Sequence, residues 1–171
     1  DRKQGYRDIT YKDIVILLRS TSDKAEIYEK ELSKLEIPVF ADSNSSYLDT
    51  PEIQTIINLL KIIDNPMQDI PLVSVLRSPI AKFTDDDLIE LRHGRENKTF
   101  YESVLEAKES VNEKLKEKIE KFLRMLEEFK SANEYLPLDE FIWKIYEDTG
   151  YLNIVTIQKN GDLKLANLKM L

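Results

Sequence analysis

A chain of 171 residues with 42% hydrophobic side chains can form one domain or two small ones, and its composition excludes a disordered tail. The absence of cysteine excludes disulfides, thiolate metal sites and thiol catalysis and fits a reducing, cytoplasmic setting, while no apolar run is long enough to span a bilayer. A formal charge of −7 excludes a surface built as a whole to hold phosphates; it leaves room for a local nucleic-acid contact but weights the composition toward protein packing.

The start, DRKQGYRDIT, has no signal-peptide core. The chain opens without methionine and ends in LKLANLKML, a helical pattern cut short, so an excised piece of a longer protein is expected. DIVILLRS, from Asp13 to Ser20, is a continuous β-branched apolar run that suits a buried strand of a parallel sheet. From Asp23 to Leu35, the residues Ala25, Ile27, Tyr28, Leu32 and Leu35 recur at mostly helical spacing, and IPVFAD, from Ile37 to Asp42, reads as a second short strand. Such a β-α-β unit gathers ligands beyond its strand ends, here Arg19, Ser20 and Thr21, and Asp42 through Tyr47.

Pro51 opens a helix that runs to Ile63 and must stop near Asp64, because Pro66 lacks the needed amide and pushes its neighbour out of the α region. Asp69 and Pro71 start a second helix with Leu72, Val73, Val75 and Leu76 on its apolar face, closed by Ser78 and Pro79. Thr84 and Asp87 have the spacing of a capping box and open a third helix through Leu91, which Gly94 stops. Val111, Leu115, Ile119, Phe122, Leu126 and Phe129 form one stripe of a long charged helix, with Glu117–Lys121 and Glu120–Arg124 as favourable pairs. A further helix, Leu138 to Asp148, turns Phe141, Ile142, Ile145 and Tyr146 inward and ends at Gly150. YLNIVTI fits either strand by propensity or helix by context. The predicted class is mostly α with a small α/β part.

For chemistry, none of the four glycines, Gly5, Gly94, Gly150 and Gly161, lies in a phosphate-cradling loop followed by lysine and a hydroxyl residue. One histidine and no cysteine leave only carboxylates for a metal, and Asp85, Asp86 and Asp87 diverge around a helix, where they read as favourable charge at its N-terminus. His93 reads as a surface residue, and Trp143 as core rather than a base-stacking platform.

DIVILLRST, IPVFADSNSSYLDTPEI and LLKIIDNPMQDIPLVSVLRSPIAKFT, in that order and spacing, resemble the AddA helicase/nuclease family, a RecB-like branch of the UvrD-like superfamily 1 DNA helicases. FYESVLEA, LPLDEFIWKIYEDTGY and LANLKML continue the likeness over nearly the whole chain; the ordered set is specific where no single piece is. The resemblance implies a partial second RecA-like lobe with part of its parallel sheet at residues 1–63, then a helical accessory (2B-like) domain at 64–171, truncated at its end. It implies a parent enzyme that uses ATP and Mg2+ to move along single-stranded DNA and degrades broken duplex ends for recombinational repair with an AddB partner. Neither Walker elements nor the nuclease carboxylates and lysine stand in this sequence, so it is expected to be catalytically silent and to hold no cofactor alone.

By the same resemblance, LLRST matches a strand-end motif facing single-stranded DNA, making Arg19, Ser20 and Thr21 backbone contacts; alternatively, Arg19 pairs with Asp23 or Asp13. Tyr47 matches an aromatic that stacks or anchors its loop, with Glu52 and Ile53 holding the next helix. LRSPIAKFT corresponds to a hairpin whose glycine-exposed amides contact duplex DNA in relatives; here Ala81 and Lys82 replace the glycine, and Arg77 and Lys82 are the candidate charges. Two other classes compete: a helical protein-interaction module without DNA binding, and a small carboxylate nuclease.

Overall fold

A computed structural model of the chain describes residues 7–19, 24–40 and 47–171. They fall into two compact units, Asp1–Tyr47 and Leu48–Leu171.

In the first unit, a single 3-10 turn, Tyr11–Asp13, is closed by Thr10, whose amide donates to Asp13 Oδ2 at 2.8 Å. An irregular stretch, 14–18, follows, and then helix α1, Ala25–Lys34. Glu36 turns left-handed (φ 57°) just past α1, so that the amide of Ile37 reaches back to the carbonyl of Leu32 at 3.1 Å, a helix stop usually given to glycine. The two expected strands are absent: among the described residues there is no strand, and therefore no parallel sheet. Leu17 is 90% exposed and Phe40 80%, where a buried sheet would enclose them. A strand exists only through a neighbour that takes up its amides and carbonyls, and neither 14–18 nor 37–40 has such a ladder; β-branched composition alone cannot supply one. Of the expected inward face of α1, only Ala25 is buried. Ile14, Ile16, Tyr28 and Phe40 instead help line an open groove of about 1050 Å³.

The second unit is helical. Its centre is α2, Pro51–Asp64, which begins after Thr50 with proline at its first position and buries Ile53, Ile56, Leu59, Ile62 and Ile63. It packs against α3 (Asp69–Arg77), α6 (Glu113–Asn133) and α9 (Gly161–Met170). Asp69 does not cap α3: its Oδ1 accepts from the amide of Phe100 at 2.8 Å, at the start of α5 (Phe100–Ala107). A carboxylate at one helix start thus satisfies an open donor of another. Thr84 and Asp87 form the expected capping box on α4, Asp85–Arg92, and Thr99 with Glu102 repeats it on α5.

Asn112 caps the long helix α6, which buries Leu115, Ile119, Phe122, Leu126, Phe129 and Ala132, while Val111 lies ahead of it. The expected partner of Arg124 turns elsewhere, since Glu120 meets Lys108 at 3.3 Å. Phe129 packs edge-on against Phe141 of α7, Leu138–Thr149, at 6.2 Å between ring centroids. Gly150, left-handed at φ 63°, ends α7, and YLNIVTI resolves as helix: α8, Tyr151–Thr156, buries Tyr151 and Val155. Gly161 opens α9 so close to α8 that an added Cβ would stand 2.1 Å from the carbonyl oxygen of Thr156.

Candidate nucleic-acid interface

The candidate residues fall in both units. In the first, Arg19 is exposed at the end of the irregular stretch, while Ser20 and Thr21 lie outside the described residues. Asp13, one of its alternative partners, is engaged by Arg7 through two guanidinium nitrogens, one at 2.6 Å from Oδ2, and this pairing with the Thr10 bonds holds the carboxyl well below the usual carboxylate range. Asp23, the other, lies outside the described residues. Tyr47 is half-buried and opens a 3-10 turn, Tyr47–Asp49.

In the second unit, the hairpin between α3 and α4 is closed by its own backbone. The amide of Lys82 donates to the carbonyl of Ser78 at 2.9 Å, that of Phe83 to Leu76 at 2.9 Å, and that of Ile80 to Ser78 Oγ at 3.2 Å. These donors point into the turn and are spent there rather than on a phosphate. Lys82 has the left-handed conformation (φ 60°) natural to glycine, with its residue exposed at the tip. Arg77 is committed, its Nε at 3.0 Å from Asp85 Oδ1 and its Nη2 at 3.4 Å from Oδ2. Of the two candidate charges, Lys82 is thus the one presented by the loop.

Sequence reasoning missed Lys118, which reaches from α6 to Asp87 Oδ2 at 2.6 Å and lies 5.8 Å from the ring centre of Phe83. Burial pushes the Asp87 carboxyl up, but Lys118 and the Thr84 amide and hydroxyl outweigh it and pull it below its ordinary value. Asp85 and Asp87 are thereby occupied in holding the hairpin, as charge at a helix start should be. His93 is exposed, as expected, in a shallow cleft of about 580 Å³ that also takes in Asp86, Glu90 and Arg95. Trp143 is not core: it is 46% exposed.

Glu52 and Ile53 do hold α2. Ile53 is fully buried, and Glu52, 5% exposed, accepts from Asn167 Nδ2 at 2.8 Å on Oε1 and from the Tyr151 hydroxyl at 3.3 Å on its backbone oxygen. Burial, the largest influence, pushes the Tyr151 phenol up. Among the described residues, no group of three or more histidines and carboxylates is placed to hold a metal ion, and no helix is long and apolar enough to cross a membrane. The sequence carries no phosphate loop.

Residues 2–167 match the UvrD-like helicase C-terminal domain. The chain belongs to that family. Within the UvrD-like helicases it is similar to AddA, the ATP-dependent helicase/nuclease protein of Clostridium botulinum (strain Kyoto / Type A2), 45% identical over 198 aligned positions that cover all of this chain and 16% of that protein. The AddA of Thermoanaerobacter sp. (strain X514) is 47% identical over 168 positions, covering 98% of this chain and 14% of the relative. The chain therefore spans about one sixth of the length of the curated relatives it matches.

Proposed function

We propose that this UvrD-like stretch serves an AddA-type helicase/nuclease. The parent enzyme would use ATP and Mg2+ to drive along single-stranded DNA and degrade broken duplex ends for repair, beside an AddB protein in the cytoplasm. The observation that carries this reading is the similarity of the whole chain to AddA proteins named as ATP-dependent helicase/nucleases. Residues 1–63 would belong to the second motor lobe and 64–171 to the accessory domain.

Within that enzyme, the chain's own residues bind rather than react. Arg19, with Ser20 and Thr21, contacts the sugar-phosphate backbone of a single strand: a guanidinium and hydroxyls recognise phosphate without reading bases, as a moving motor requires. Tyr47 anchors or stacks beside that path. Lys82 offers a point charge to a phosphate at the hairpin tip, and Arg77 joins it only by leaving Asp85. Catalysis lies in parts of the parent that supply phosphate-loop and nuclease residues. In the parent enzyme, Arg19→Ala is expected to raise the single-stranded DNA concentration that half-maximally stimulates ATP hydrolysis while leaving the KM for ATP unchanged. An unaltered DNA dependence would refute the role of Arg19.

A further inference from the structure

One face of α7 has no part in the DNA contacts above. Asp139, Glu140, Trp143 and Glu147 are spaced three or four residues apart around Trp143, so they share a side of the helix, and all four are exposed. Trp143 is nevertheless held in place. Its ring meets that of Tyr146 edge to face, 5.7 Å between centroids and 83° between planes. Tyr146 is itself buried, and its hydroxyl donates to the carbonyl of Leu168 at 2.9 Å. One side of the indole is thus fixed by the core while the rest meets solvent. A large aromatic already set in one pose loses little freedom on binding, and tryptophan is the side chain that most often dominates protein interfaces.

The surrounding charge selects what can sit there. Helix α7 carries four carboxylates, Asp139, Glu140, Glu147 and Asp148, against one ammonium, Lys144, which Asp148 holds at 2.8 Å. That face repels phosphates, which disfavours a nucleic-acid base stacked on the indole, and it repels a second copy of itself. A lysine or arginine, in contrast, can lie over the indole while its charge meets the carboxylates on either side. We propose that the Trp143 face of α7 is a docking surface for a partner polypeptide segment that presents a lysine or arginine beside an apolar residue. This surface is independent of the DNA contacts assigned to Arg19 and Lys82.

Trp143 is the only tryptophan in the chain, so its emission reports on this face directly. The probe is a fluorescein-labelled synthetic peptide of alternating lysine and leucine, titrated against the 171-residue chain by anisotropy, with an unlabelled copy for the emission measurement. The peptide is expected to bind and to shift Trp143 emission, whereas a glutamate–leucine peptide does neither and oligothymidylate, held elsewhere on the chain, leaves the emission unchanged. Trp143→Ala, and separately the pair Asp139→Lys with Glu147→Lys, are expected to weaken peptide binding about tenfold. Trp143→Phe, which keeps a ring against Tyr146, is expected to weaken it less. Circular dichroism of each variant should match the parent chain, since all three positions are exposed. Peptide affinity unchanged by Trp143→Ala would overturn the proposal. So would oligothymidylate shifting the emission as strongly as the basic peptide, which would make this a nucleic-acid surface.

Discussion

Replacing Glu52 tests how the helical unit closes on itself. Its Oε1 accepts from Asn167, 115 residues further along the chain, so this one contact ties the start of α2 to α9. A hydrogen bond to a charged group contributes about 1.5–3 kcal/mol, while the half-buried amide of Asn167 can turn to water once its acceptor is gone. Glu52→Ala, which also empties a site only 5% exposed, is therefore expected to cost about 2–4 kcal/mol. That is a large share of the roughly 5–15 kcal/mol that holds a domain folded. Glu52→Gln keeps the shape and an acceptor oxygen and is expected to cost less than half as much. Urea unfolding followed by the emission of Trp143, which lies in the same unit, reads the change; with an m-value of about 2–3 kcal/mol/M, Glu52→Ala moves the midpoint down by about 1 M. A double-mutant cycle with Asn167→Ala should give a coupling of about 1–2 kcal/mol, and a value below about 0.5 kcal/mol would refute the reasoning.

Asp87 carries a pH signature. Its carboxyl is held below the ordinary value in the folded state, so the unfolded chain binds that proton more tightly. Its contribution to stability is fully present above the ordinary carboxylate value, about pH 4, and is lost as pH falls through the folded-state value; Asp87→Asn should flatten this part of a midpoint-against-pH profile. Gly161→Ala drives a methyl group toward the backbone oxygen of Thr156 and is expected to cost about 1–3 kcal/mol in the same urea assay. Lys82→Gly removes a left-handed conformation that costs about 1–2 kcal/mol but frees the unfolded chain by about 0.4–1 kcal/mol, leaving a net gain of about 0–1.6 kcal/mol. Calorimetry should show this as a rise in Tm of a few degrees, and a fall would count against strain at the hairpin tip.

Local punctuation was the most legible part of the sequence. Pro66 ended α2, Thr84 and Asp87 opened α4, and Gly150 stopped α7, because each of these devices works within one helical turn. The stripe from Leu115 to Phe129 was legible for the same reason, since one helix sets its period. What failed depended on partners. The strand readings at 13–20 and 37–42 judged composition, but a strand is made by pairing, and the described parts of these segments have none. Trp143 was drawn into the core by residue type, although it lies two positions from Phe141, about 200° around the helix from that buried side chain. Asp69 with Phe100, Lys118 with Asp87 and Glu52 with Asn167 join residues far apart in sequence, where spacing carries no signal. At the candidate interface, residue type picked out Arg77 and Lys82 together, and only geometry separated the paired arginine from the lysine at the tip.

The salt dependence of single-stranded DNA binding tests most directly whether this stretch serves a DNA motor through Arg19. Anisotropy of labelled oligothymidylate, read with the 171-residue chain across about 50–200 mM salt, should give a log–log slope of about −0.7, for the one phosphate contact assigned to Arg19. Arg19→Ala should bring that slope close to zero, and exchanging thymine for a mixed sequence should leave it unchanged. Absence of affinity at the lowest salt, or a slope indifferent to Arg19→Ala, would contradict the assignment.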